Sequence, residues 1–146
     1  MIDRSEHAVL NHLIETCRDG EKGFRLAAGF VKAPELKALF LELADQRATL
    51  AAQLLPHAQR LGGNAPAAQT RLAALHRGWM AMEAKILHDD KVIVTEVEQG
   101  NRATLDLYAD AIAGMLAPET RQLVEQQFRD LEEASGRIPV REWVEQ

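Results

Sequence analysis

Apolar residues recur along this chain at alternating steps of three and four, and four long stretches carry the pattern. In the first, Leu10, Leu13, Cys17, Gly20, Phe24, Ala27 and Val31 form one stripe, which predicts a helix from about Arg4 to Lys32. Asp3 and Glu6 are spaced as an N-cap and capping-box pair at its start. Pro34 then suits the first turn of a second helix, running to about Leu61 with Leu36, Leu39, Phe40, Leu43, Leu50, Leu54 and Leu61 on its stripe. Pro56 lies inside that stretch and removes one backbone hydrogen bond, so a kink in the last turns is expected. Gly62-Gly63 ends the helix.

A third long helix is predicted over Asp90–Ala113, capped from His88-Asp89-Asp90, and a fourth over Pro118–Gly136. Between the second and third helices, residues 62–89 form a long crossover. Within it Leu72, Leu75, Trp79, Met82 and Ile86 mark an additional amphipathic helix over about Thr70–Leu87. The tail Val140–Gln146 reads as one short turn or a docking strap. No strand-like alternation stands out. The fold class is therefore all-α, a single domain over residues 1–146: a four-helix bundle whose outer pairs are joined by short turns and whose middle link is long. Bundles with one long crossover include the ferritin-like folds.

Composition fits this reading. A length of 146 residues suits one domain with a sizeable core, and at 5% aromatic content that core must be built mainly from Leu, Ala, Val and Ile. The net charge of −5 argues against nucleic acid and against anionic membrane surfaces as partners, because both need clustered Lys and Arg. Cys17, the single cysteine, sits on an apolar stripe and reads as a small buried hydrophobe. Nothing resembles a signal-peptide apolar region or a membrane span, which makes the cytoplasm the expected compartment.

Four polar residues interrupt the stripes near the helix midpoints: Glu21, Gln46, Glu98 and Gln127. In a bundle these would form one buried polar layer. Di-metal proteins of the ferritin-like type build such a layer from a Glu on each of two helices and Glu-x-x-His on the other two. Glu21 and Glu98 match the single-Glu roles, but the second helix offers Gln46-x-x-Thr49 and the fourth Gln127-x-x-Asp130. A neutral amide is a weak ligand and cannot balance two divalent ions. His7, His12, His57, His76 and His88 lie near helix ends or in the crossover. The layer thus reads as a hydrogen-bonded cluster with no metal expected. Iron or manganese on Glu21 and Glu98, with Gln46 and Gln127 nearby, is the alternative. Buried carboxylates need compensation, and Arg47 or Arg102 is placed to turn inward and supply it.

The stretches Leu10–Phe24, Pro34–Phe40, Leu75–Met80 and Glu96–Gly100 resemble an uncharacterised bacterial family of four-helix bundles in the ferritin-like superfamily. Its more specific marks are Asp19-Gly20-Glu21 and Leu75-His76-Arg77-Gly78-Trp79, and the resemblance spans about Leu10 to Arg137. It implies the ferritin-like fold and no defined activity. Relatives are expected to carry acidic and His residues where this chain has Asn101, Arg102 and Ala103, and a His where it has Ser135. That departure also weakens a metal reading.

The functional expectation is a non-catalytic helical protein, acting through its surface as a homo-oligomer, with a stress-related role implied only by the superfamily. The alternative is a metal-binding oxidoreductase or metal-storage protein using Glu21 and Glu98. Trp79 reads as an anchor on the bundle surface or at a subunit interface. Glu42, Asp45, Glu132 and Glu133 read as a solvated face. Phosphate loops, nucleophile elbows and Cys-x-x-Cys pairs are absent as motifs.

Overall fold

The computed structural model describes residues 5–62 and 89–144. Four long helices form the bundle: α1 (Glu6–Phe30), α2 (Pro34–Arg60), α3 (Asp90–Ala113) and α4 (Pro118–Arg137). A single-turn helix, α5 (Val140–Trp143), follows. No strand occurs among the described residues. The expected crossover helix, the His76–Trp79 motif and the Asp3 cap lie outside them.

Specific contacts fix the direction of each helix. At one pole the Asp90 carboxylate, opening α3, accepts hydrogen bonds from the backbone N–H groups of Lys32 (2.9 Å) and Ala33 (3.0 Å) in the α1–α2 turn. These two N–H groups leave α1 at Phe30, short of the expected Lys32, and Asp90 satisfies them. At the opposite pole Glu6 of α1 accepts from the N–H of Ala117, and Arg60 near the end of α2 bonds Glu119 at the start of α4. Helices α2 and α3 therefore run in the same direction. The α1–α2 and α3–α4 pairs are antiparallel.

Local chemistry sets the boundaries. Ser5 caps α1: its hydroxyl accepts from the Ala8 N–H at 3.1 Å, and Glu6 accepts from the Ala117 N–H. Asp89 caps α3 through the Lys91 N–H. Pro34 and Pro118 open α2 and α4 with no side-chain cap, as their fixed φ allows. Pro56 stands within α2, which continues past it to Arg60. Gly62 then adopts a φ of +82°, the left-handed conformation that ends helices and favours glycine. The expected stripe fails at Leu61, which is 45% exposed in this terminal turn.

The core falls into two halves. Phe24, Ala27, Leu36, Phe40, Leu43, Ile93 and Val94 pack near the Asp90 pole, with Val140 and Trp143 of α5 laid against them. Leu10, Leu13, Cys17, Leu50, Leu54, Tyr108, Val124 and Leu131 pack near the other pole. Along α1, α2 and α3 the boundary falls at Gly20, Arg47 and the pair Asn101 and Thr104. Phe128 of α4 is only partly buried, while its neighbour Gln127 is 1% exposed.

The Glu6 pole contains a titratable contact. His57 Nδ1 lies 2.6 Å from Arg60 Nη2 and 2.8 Å from the Thr120 hydroxyl. Both donate to the unprotonated nitrogen, so the bonded ring is neutral. Burial first, and the Arg60 cation second, push the His57 pKa below its ordinary value of 6.5. The contribution of this group is complete above the unfolded pKa near 6.5 and is lost as pH falls from there through the lower folded value. Thermal midpoints of wild type and His57→Gln measured at successive pH values are expected to converge on acidification. A constant gap between them would contradict the assignment.

Candidate functional site

The most unusual group in the bundle is Arg47. Its side chain leaves the middle of α2 and is buried, at 2% exposure. Nη2 donates to Asn101 Oδ1 at 2.6 Å and Nη1 to Thr104 Oγ1 at 3.3 Å, both on α3. The Thr104 hydroxyl donates in turn to the Gly100 carbonyl at 3.1 Å, which leaves an oxygen lone pair for the guanidinium. The guanidinium carbon lies 5.3 Å from the Phe24 ring centre, within cation–π range. On α1 the absence of a side chain at Gly20 makes room: a Cβ there would lie 2.2 Å from Nη1. The Asp19-Gly20-Glu21 motif thus contributes its glycine to the core.

All of Arg47's hydrogen-bond partners among the described residues are neutral. Burial lowers the Arg47 pKa, with Cys17 and Tyr108 the groups whose fields oppose that shift. Burial also raises both the Cys17 thiol and the Tyr108 phenol, so each stays protonated. A guanidinium does not give up its proton in proteins. Among the described residues the centre therefore holds one positive charge and no matching side-chain anion in contact with it. Asn101, with its oxygen committed to Arg47, leaves Nδ2 buried and without a partner.

A second polar chain lies beside it. Tyr108 Oη donates to Gln127 Oε1 at 2.7 Å and lies 3.3 Å from Cys17 Sγ. Since the phenol proton goes to Gln127, Cys17 is the donor to the phenol oxygen. Gln127 Nε2 completes the chain by donating to the Leu50 carbonyl (3.2 Å) and to Gln53 Oε1 (3.0 Å). The amide is fully used, which is what a buried polar group requires.

Of the four residues expected in one buried layer, only Gln127 is in the core. The Glu21 side chain is 21% exposed and its carboxylate accepts from Arg25 Nε (3.0 Å) and Nη2 (2.8 Å), while Arg25 also reaches Asp45. The Glu98 side chain is 20% exposed and pairs with Arg102 one turn on. Gln46 is partly buried: Nε2 donates to the Asp130 carbonyl at 3.3 Å, and Oε1 has no partner. Carboxylates at a half-exposed helix edge keep part of their hydration and an arginine from their own helix, which is cheaper than full burial. The two arginines divide differently than expected. Arg102 does meet Glu98, but on the outside with its side chain 72% exposed, and Arg47 turns inward without meeting either carboxylate. Among the described residues no three His, Cys, Asp or Glu side chains come together as a metal site would need.

Sequence reasoning missed Asn101, Thr104 and Tyr108 as core polar residues. The signal was present: Val94, Val97, Asn101, Thr104 and Tyr108 keep the three-four step of the inward stripe, and all are buried.

The model of a domain of unknown function, DUF2383, matches residues 5–114. The chain belongs to this family. The matched stretch covers α1, α2 and α3, and so contains Gly20, Arg47, Asn101, Thr104 and Tyr108, whereas Gln127 lies beyond it. No curated protein matches the chain. No helix among the described residues is long and apolar enough to cross a membrane.

Proposed function

We propose that this DUF2383 chain is a non-catalytic bundle of ferritin-like topology, whose centre is held by an organic cation instead of a metal ion. The observation that carries the reading is the buried Arg47 guanidinium, bonded to Asn101 and Thr104 and seated against Gly20. A divalent ion brought beside it would meet like-charge repulsion in a poorly screened interior. Its donors point at neutral oxygens that could otherwise serve as weak ligands. The shared direction of α2 and α3, separated by a long connection, supports the ferritin-like topology. The protein then works through its outer surface. Self-association would draw on the pole where Leu61 is 45% and Met115 90% exposed.

Metal analysis of protein purified without chelator tests this directly. Iron and manganese are expected well below one equivalent, before and after aerobic incubation with ferrous iron. Near-stoichiometric metal, lost on Glu21→Ala and on Glu98→Ala, would establish the metal-binding alternative instead.

A further inference from the structure

We propose that the centre of the bundle binds one small monovalent anion, of the halide class, on the Arg47 guanidinium and the amide nitrogen of Asn101. Two independent observations lead there. The first is charge: Arg47 is buried at 2% exposure, and its hydrogen bonds go to the neutral Asn101 and Thr104 side chains. A buried ion without a counter-charge costs several kcal/mol, and a bonded neutral oxygen recovers only part of its hydration. The second is the orphan donor. Asn101 is 3% exposed, and Nδ2 has no partner while Oδ1 is taken by Arg47. Turning the amide over would set two donors face to face, so the orphan is fixed as an N–H group. An unspent donor beside an unpaired cation is complementary to an anion and to nothing positive.

The surroundings select its size and charge. The guanidinium carries a single charge, so a monovalent ion neutralises it and a phosphate would over-compensate. Gly20 already abuts Nη1, the Phe24 ring lies 5.3 Å from Cζ, and the apolar halves of the core close both sides. A spherical halide asks less room of such a setting than any polyatomic metabolite, and an anion with few demands on hydration enters it most readily. The inference needs the burial of Arg47 and the orphan Asn101 donor, and stands whether or not the bundle proves non-catalytic.

Chloride NMR linewidth titrations of the full chain test it, with sodium gluconate holding ionic strength constant. Wild type is expected to give a saturable excess broadening, and a thermal midpoint that rises with chloride at fixed ionic strength, as for a ligand bound only by the folded state. Both effects should be lost in Arg47→Met. Asn101→Leu keeps the cation but removes the orphan donor, together with the oxygen that accepts from Nη2, and is expected to weaken the broadening. Absence of saturable broadening in wild type, or its persistence in Arg47→Met, would overturn the proposal. So would an unchanged response in Asn101→Leu.

Discussion

Gln127→Glu is expected to destabilise the bundle at neutral pH by up to about 3–5 kcal/mol, the penalty for a buried charge without a partner, less what the Arg47 cation beside the same polar chain recovers. The substitution changes few atoms, and the penalty comes from the partners already in place. Gln127 Nε2 donates to the Leu50 carbonyl and to Gln53 Oε1, so a carboxylate oxygen there would face two acceptors. The Tyr108 hydroxyl would still match it and the exposed Gln53 amide could turn over to do so, but the Leu50 carbonyl cannot. The site is 1% exposed, and water cannot relieve the conflict. The introduced carboxyl should therefore titrate above its unfolded value of about 4.3. The sign follows: the loss is complete above the raised folded pKa and shrinks as pH falls through it toward the unfolded one. Denaturant midpoints at pH values spanning that window should show the variant gaining on wild type with acid. A variant as stable as wild type at neutral pH would mean that Gln127 is not held as described.

Gly20→Ala should carry the second-largest effect, and its sign should depend on residue 47. In the interior of a helix, alanine is favoured over glycine by about 1 kcal/mol. Here the added methyl would meet Nη1 at 2.2 Å, Cζ at 3.2 Å and Cγ at 3.4 Å of Arg47. The guanidinium could move away only by giving up bonds to Asn101 and Thr104, and hydrogen bonds to charged groups contribute about 1.5–3 kcal/mol each. A net destabilisation of roughly 1–3 kcal/mol follows, in the range of overpacked cores. In an Arg47→Met background the obstruction is gone, and the same substitution should stabilise by up to about 1 kcal/mol. A double-mutant cycle by chemical denaturation measures the difference as a coupling energy. Additive effects would show that Gly20 is not the seat of the guanidinium.

The architecture was legible because its signals are local. The third helix was expected over Asp90–Ala113 and is found there, and Pro34 and Pro118 open the helices they were assigned to. The site was less legible, and two positions show why. Gly20 and Glu21 both keep a three-four step between Cys17 and Phe24, so periodicity alone cannot decide which faces inward. The decision comes from α2, whose Arg47 needs the space that only glycine leaves. On α3, Glu98 lies four residues after Val94, but the buried series runs through Val97, Asn101 and Thr104. Acidic residues draw attention as possible ligands, whereas the asparagine and threonine beside them look like substitutions without consequence. Arg47 was named for its position beside the layer, yet its neutral partners follow from how α2 and α3 meet, which no single segment encodes.

The division of the core by Arg47 has a consequence for sliding. Helices lined with Leu, Ala and Val can exchange one apolar neighbour for another when shifted by a turn, at little loss of buried area. The guanidinium removes that freedom. One turn along α3 in either direction, its fork would be drawn off Asn101 and Thr104 toward Val97 or Tyr108, and along α1 it would leave the notch at Gly20 for Cys17 or Phe24. Each displaced arrangement exchanges a seated, hydrogen-bonded guanidinium for one beside Val97 or Phe24, or beside the Cys17 and Tyr108 groups already bonded to each other. A single polar group in a helical core is best attested as a device that fixes alignment at some expense in stability. Arg47 thus selects one axial setting of three helices from several that the apolar stripes would tolerate.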